Sequence, residues 1–307
     1  MSRKLIYILF LLLAVSCSSP RNYVKRAVRL MDRNGLFAEG DQWDAAREKA
    51  LSQKPATIED AQEVVREALK VAGGKHSFII PSSKVEKLAK IEWQMPSVEI
   101  LNDNIVQIKL PYFSGNQYEG RKYEQTVIDG VPGNVVGAII DLRGNTGGNM
   151  YPMIASVHRF IDDGETMLKF KNRTRTNVIP LSYILRCEEI EAQDPLDCPV
   201  AILTDSLTAS SGEATLICFR GQENVRTFGT PTAGYASANR PFKMADDSHL
   251  VITTGCDVAR TGEVFCDDPI VPDILTDHPV EDAVAWIRTI IQKESTASRH
   301  STSASDF

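Results

Sequence analysis

The sequence predicts an α/β fold built on a mostly parallel or mixed sheet, and two strand–loop–helix units carry that prediction. Residues 135–142 form a continuous apolar run, a glycine-rich loop follows, and 151–161 has helical character. Residues 200–204 form a second short apolar run, followed by a polar loop and a helix expected over 210–221. In such sheets, sites lie beyond the carboxyl ends of the strands, which is where both loops fall.

The remaining elements follow from periodicity. Residues 18–75 read as helical: Asp41 caps a helix through Trp43, Ala46 and Ala50, and Thr57 precedes a clearer one. In that second helix Ile58, Ala61, Val65, Ala68, Leu69 and Ala72 share a face, and Gly73-Gly74 stops it. Residues 98–100 and 105–110 alternate around an Asn102-Asp103-Asn104 turn, and 225–229 and 250–254 read as strands. An amphipathic helix is expected over 280–292, with Ala283, Val284, Ile287, Ile290 and Ile291 on its apolar side. Residues 172–198 read as an irregular insertion, and the Ser-rich 294–307 as a disordered tail.

A chain of 307 residues can form one large core with a small accessory region. Its 43% hydrophobic and 24% charged content is ordinary for a globular protein. Net charge is −6 with no basic stripe, so nucleic-acid binding has no electrostatic support.

The first 17 residues stand apart. Arg3 and Lys4 precede an apolar run over 5–15, too short to span a bilayer comfortably. The run ends in Ala14-Val15-Ser16-Cys17, small residues before a cysteine that resemble a bacterial lipoprotein cleavage box. Cleavage there would leave Cys17 as a lipidated N-terminus and take the net charge from −6 to about −8. The expectation is an exported protein anchored to a bacterial membrane by lipid, with its main domain in the periplasm. Whether the membrane is inner or outer stays open, as does the oligomeric state.

Export makes disulfides possible, and Cys187 with Cys198, and Cys256 with Cys266, are local pairs that could each close a short loop. Cys218 is left as a small buried hydrophobe. The cysteines show neither CxxC spacing nor a nearby histidine, so neither a metal nor a cofactor is expected. The expected organisation is a leader and lipobox over 1–17, a helical region over 18–75, a core over 76–293 and the tail over 294–307.

Three segments could carry chemistry. The first is D-L-R-G-N-T-G-G at 141–148, between a buried strand and a helix, where glycines let the backbone turn and expose amides to an anion. It is neither a Walker loop nor a dinucleotide fingerprint, since both spacings fail. The second is T-A-S-S-G-E at 208–213, opening a helix. A serine there is usually a cap, yet a nucleophile gains in the same place from the next residue's amide. The third is G-T-P-T-A-G at 229–234, a turn-rich loop after a strand. Each alone reads as an ordinary connector.

In this order, together with I-V-P-D-I at 270–274, the segments resemble the family of C-terminal processing (tail-specific) peptidases and the catalytic core of tricorn protease. The resemblance covers roughly residues 70–280. It implies a crotonase-like α/β core with a β-rich segment, endopeptidase activity, and Ser210 as nucleophile, three residues before Glu213. Residues 77–97 are too few for the PDZ domain that many of these peptidases insert.

The sequence departs from the Ser/Lys members in one place: Tyr235 stands where their lysine follows the G-x-P-T-x-G segment. Tyrosine is a poor general base at neutral pH. The tricorn-type branch uses a histidine placed before the glycine-rich loop, and Gly74-Lys75-His76-Ser77-Phe78 resembles that segment, which makes His76 the expected base. In the implied mechanism the amides of Gly147 and Ser211 hold the oxyanion. For the residue orienting His76, the candidates are Asp267, Asp268, Glu263 and Ser77. The expected partner is a protein or peptide substrate. The main alternative is an inactive relative that binds peptides without cleaving them, and a crotonase-type acyl-CoA enzyme is a third reading that export disfavours.

Overall fold

A computed structural model describes residues 19–88, 91–162 and 164–303. The leader, the cleavage box and Cys17 lie outside the described residues. Along the chain come helices α1 (Pro20–Asn34), α2 (Gly40–Ser52) and α3 (Ile58–Gly73), strand β1 (Phe78–Ile80) and helix α4 (Ser82–Leu88). Next are β2 (Ser97–Ile100), β3 (Ile105–Lys109), α5 (Gln117–Gly130), β4 (Gly137–Asp141) and α6 (Met150–Ser156). Then follow β5 (Leu168–Lys171), β6 (Thr176–Ile179), α7 (Leu181–Glu188), β7 (Val200–Thr204), α8 (Ser211–Ile217) and β8 (Val225–Gly229). The last elements are β9 (Ser237–Lys243), β10 (His249–Ala259), β11 (Val264–Phe265), β12 (Ile274–Leu275) and α9 (Pro279–Ser303).

The chain divides into two compact units. The first contains residues up to Ile91 with Asn172–Thr174 and Ser237–Gly255. Helices α1, α2 and α3 pack through Val24, Val28, Met31, Trp43, Val65 and Leu69. Thr57 and Asp60 form a reciprocal capping box at the start of α3, which satisfies two of its orphan amides. Strand β1 pairs antiparallel with β10 at Phe78↔Val251 through Ile80↔His249, and Leu250 and Ile252 join the helical core. The division therefore does not fall at residue 75: the helical region takes with it β1, strand β9 and β10 as far as Gly255, because the inward residues of that hairpin complete its core.

The second unit is a mixed α/β layer structure. Its main sheet has the order β12-β8-β7-β4-β3-β2, parallel throughout except for the antiparallel edge strand β2. Strands β4 and β7 are buried on both faces, which explains why they read as unbroken apolar runs. Ala138, Ile140, Val200 and Ile202 point into the core shared with α5, α6, α7 and α8. Ile139, Ala201 and Leu203 point the other way, onto Ala283 and Ile287 of α9. Each such fully buried Ile or Leu contributes about 2 kcal/mol. Among the described residues, no helix is long and apolar enough to cross a membrane.

Several local expectations are corrected. Residues 172–198 are not irregular, since they contain β6 and α7, whose Ile184 and Leu185 are drawn into the core. The tail is helical to Ser303 as a continuation of α9, because no Gly or Pro interrupts the run, and 304–307 lie outside the described residues. The helix expected over 210–221 is shorter, ending at Ile217. Cys256 and Cys266 form a disulfide, whereas Cys187 and Cys198 are unbridged. Cys187 is held on α7 and Cys198 is buried beside β7, so the short separation in sequence does not make a pair.

Candidate active site

The glycine-rich loop leaves the end of β4 and is fixed at its root by Asp141. This buried carboxylate accepts Arg143 at Nη2 (2.7 Å) and at Nε (2.9 Å), and Lys109 Nζ lies 3.1 Å away. Burial resists ionisation here, but the Arg143 bonds and the Lys109 charge outweigh it and hold the carboxyl below its usual range. Asn145, also fully buried, donates from Nδ2 to Leu110 O (2.9 Å) and accepts the Gly147 amide at Oδ1 (2.9 Å). Its backbone oxygen accepts the Ala209 amide at 2.9 Å, which ties the first motif to the second.

Gly147 has φ +107°, and a Cβ on it would lie 2.8 Å from Cβ of Ser210. Only glycine lets this loop pass so close to the candidate nucleophile. The Gly147 amide is nevertheless engaged by Asn145 Oδ1, so its expected service to an oxyanion is corrected: its role here is close approach. Gly148 is the next candidate. It forms a parallel bridge with Phe113, made by Phe113 N to Gly147 O (3.3 Å) and Asn149 N to Phe113 O (2.7 Å). Such a bridge turns the Gly148 amide and carbonyl away from Phe113. That carbonyl accepts Ser211 Oγ at 2.7 Å.

Ser210 precedes α8 with φ +53° and ψ −115°. A non-glycine residue in this conformation is strained, and the strain persists only where the surroundings fix it. Those surroundings are Glu213. Fully buried, it accepts the Ser210 amide (2.8 Å) and the Tyr235 amide (2.7 Å) at Oε2, and the Gly234 amide (2.9 Å) and Thr232 Oγ1 at Oε1. Burial pushes this carboxyl up from its ordinary value, and the bonds from Thr232, Tyr235, Ser210 and Gly234 pull against it. Thr232 in turn accepts the Ile270 amide at 2.8 Å, so the fourth motif joins the same network. Sequence reasoning used Glu213 only as a ruler for locating Ser210, and missed that it fastens three loops. Ser211 opens α8, and helix geometry leaves its amide without an intrahelical acceptor.

Asp257 on β10 is buried near Glu213. Burial first, and the Glu213 charge second, raise its carboxyl well above the ordinary value.

His76 belongs to the first unit, just beyond α3. Its backbone oxygen accepts Asn239 Nδ2 (2.9 Å), and its ring Nδ1 lies 2.9 Å from Ser237 Oγ. Of the four residues expected to orient the ring, Ser77 bonds elsewhere: its hydroxyl meets Gly73 O and Thr253 Oγ1, both at 2.9 Å. Glu263 bonds to Arg220 Nη2 (3.2 Å) and Thr261 Oγ1 (3.0 Å) in the second unit. Asp267 is half-buried in the turn after β11, and Asp268 is exposed there. Ser237, three residues past the third motif, was not among the candidates. His158 is structural: its Nδ1 meets Ala155 O at 2.7 Å, and burial keeps it neutral.

Similarity to known proteins agrees with these motifs. The chain is 31% identical over 283 residues, 89% of each chain, to the nisin-resistance protein of Lactococcus lactis subsp. lactis. It is 23% identical over 181 residues to the carboxy-terminal processing protease CtpA of Bacillus subtilis, 59% of this chain and 37% of that one. Among solved structures, a lipoprotein from Streptococcus agalactiae superposes with a TM-score of 0.80 at 29% identity, over 88% of this chain and 96% of that one. The photosystem II D1 C-terminal processing protease shares the fold, with a TM-score of 0.60 at 13% identity over 85% of this chain and 94% of that one. Residues 104–276, which carry the four motifs from 141 to 274, fit the model of peptidase family S41, and the chain belongs to that family.

Proposed function

We propose that the protein is a serine endopeptidase of exported proteins or peptides, with Ser210 as nucleophile and His76 as general base. The observation that carries this reading is the strained backbone of Ser210, held by the buried Glu213. Strain of this kind is kept where a side chain must be presented to a reacting group. His76 takes the Ser210 proton at Nε2, its Nδ1 being bonded to Ser237. Oγ adds to the peptide carbonyl, and the amides of Ser211 and Gly148 receive the oxyanion. The imidazolium then protonates the leaving amine as the C–N bond breaks, and water releases the acyl group by the reverse steps.

The finer family features belong to the same reading: a crotonase-like core without a PDZ domain, anchored through lipid on Cys17 at a bacterial membrane and facing the periplasm. The relative that confers nisin resistance suggests the substrate class, peptide antimicrobials such as nisin. Incubation of the mature chain with nisin, followed by mass spectrometry, should show peptide-bond cleavage that vanishes in both Ser210→Ala and His76→Ala. Cleavage that survives either substitution overturns the assignment, and intact nisin bound without cleavage points to the peptide-binding alternative.

A further inference from the structure

The first unit carries an open groove of about 570 Å³ between α2 and α3, a size suited to several side chains of a ligand. Its floor is made by Ala46 and Ala50 on α2 and by Val64, Ala68 and Val71 on α3. The spacings i, i+4 and i, i+4, i+7 put each set on one helix face. Small residues on α2 leave Val64 and Val71 half-buried along that seam. Ala50 and Ala68 are buried in the helical core with Ala61, Val65, Leu69 and Ala72, and Ala46, Val64 and Val71 form the half-buried edge of that core, so the groove offers a continuous apolar floor.

The rim is acidic. Asp60, Glu63 and Glu67 line it against a single cation, Lys49, which pairs with Glu67 at 2.8 Å. Arg66, bonded to Glu63 at 2.8 Å, is not part of the lining. Glu63 and Glu67 are well exposed, with side chains 68% and 57% accessible, so an arriving cation can reach both. An apolar floor under a negative rim matches one chemistry: an amphipathic peptide with a lysine-rich face. An anionic membrane surface or an acidic peptide is repelled by the same rim.

We propose that this groove docks a cationic amphipathic segment of the peptide substrate. The proposal rests on the peptidase reading and names the class of substrate it serves.

The test measures binding in Ser210→Ala protein, where hydrolysis does not interfere. The probe is a labelled amphipathic peptide of about 20 residues, leucine on one helical face and lysine on the other. We expect saturable binding that weakens with salt, and about a tenfold loss of affinity in Glu63→Lys/Glu67→Lys. Val64→Ser should weaken binding without a change in charge. The matched control Glu99→Lys/Glu223→Lys, two exposed acids of the other unit, should change affinity less than about twofold. Equal losses in control and groove variants, or equal binding of the peptide with glutamate in place of lysine, overturn the proposal. A dimer in sedimentation that Glu63→Lys/Glu67→Lys dissociates gives the groove to a second copy and also overturns it. Binding is read without turnover, and cleavage of a short neutral peptide is read with Ser210 intact. Failure of the groove and failure of the catalytic reading are thus separate results.

Discussion

The buried carboxylate of Glu213 accepts the main-chain amide of Ser210 at 2.8 Å, and with its other bonds joins the Ser210 turn to the loop at 232–235. Glu213 acts on the backbone of the proposed nucleophile and not on its hydroxyl. Removing the carboxylate leaves three amides and a hydroxyl without their acceptor, at about 1–3 kcal/mol for each one that stays buried and unpaired. Glu213→Ala should therefore lower stability by about 3 kcal/mol or more, measured by urea unfolding, and Glu213→Gln by less, because the amide oxygen still accepts. Peptide cleavage should fall at least about tenfold in Glu213→Gln, since the strained turn relaxes. Unchanged stability in Glu213→Ala would show that the network does not hold the turn.

Much of this site was legible in the sequence because the motifs are rigid backbone features. Asp141, Asn145, Gly147, Glu213 and Thr232 all act on main-chain groups, so their spacing in sequence reflects geometry directly. The parallel core was legible too, since strands buried on both faces read as apolar runs. Ser237 was not, because a lone serine in a strand carries no signal until the partner across 161 residues is known. The Gly147 amide was misread for a related reason: a glycine-rich loop advertises exposed amides, and only the Asn145 side chain decides which one is already used. The helical 294–303 was read as disorder from composition, although its helix begins in a well-packed segment.

Ser237 should be a positioning residue for His76. Its hydroxyl lies 2.9 Å from Nδ1 and fixes the ring's orientation. Ser237→Ala should lower kcat about tenfold with little change in KM, because substrate binding does not involve that bond. Ser237→Thr, which keeps the hydroxyl, should recover much of the loss. A fall in affinity with kcat intact would assign Ser237 to substrate binding and not to the base.

The disulfide between Cys256 and Cys266 closes a ten-residue separation at the β10–β11 hairpin. Chain-entropy arguments give such a loop about 2–3 kcal/mol. Cys256→Ala/Cys266→Ala should lower the urea midpoint accordingly, and a reductant should do the same to the unsubstituted chain. Alkylation of unreduced, unfolded protein followed by mass determination should then label Cys187, Cys198 and Cys218 but leave Cys256 and Cys266 unmodified.

Glu124 on α5 and Glu188 on α7 form a second buried carboxyl pair, and it should make stability fall as pH rises from 4.5 towards about 9. Among the described residues no donor reaches either Glu124 oxygen. Burial, then the adjacent Glu188 carboxyl, push Glu124 from an ordinary 4.5 up to about 9, and the Arg121 charge only partly opposes them. The folded chain thus holds a proton that the unfolded chain releases above 4.5. Folding stability is full below that pH, falls as pH rises from 4.5 towards about 9, and then levels off. At about 1.4 kcal/mol per pH unit, the loss reaches about 3 kcal/mol near neutrality. Glu124→Gln keeps a neutral donor facing Glu188 at all pH values. It should nearly match the unsubstituted chain near pH 5, exceed it in stability by up to about 5 kcal/mol at pH 8, and flatten the slope between. Parallel stability curves for the two proteins from pH 5 to pH 9 would mean that Glu124 is already ionised in the fold, with its charge balanced by Arg121.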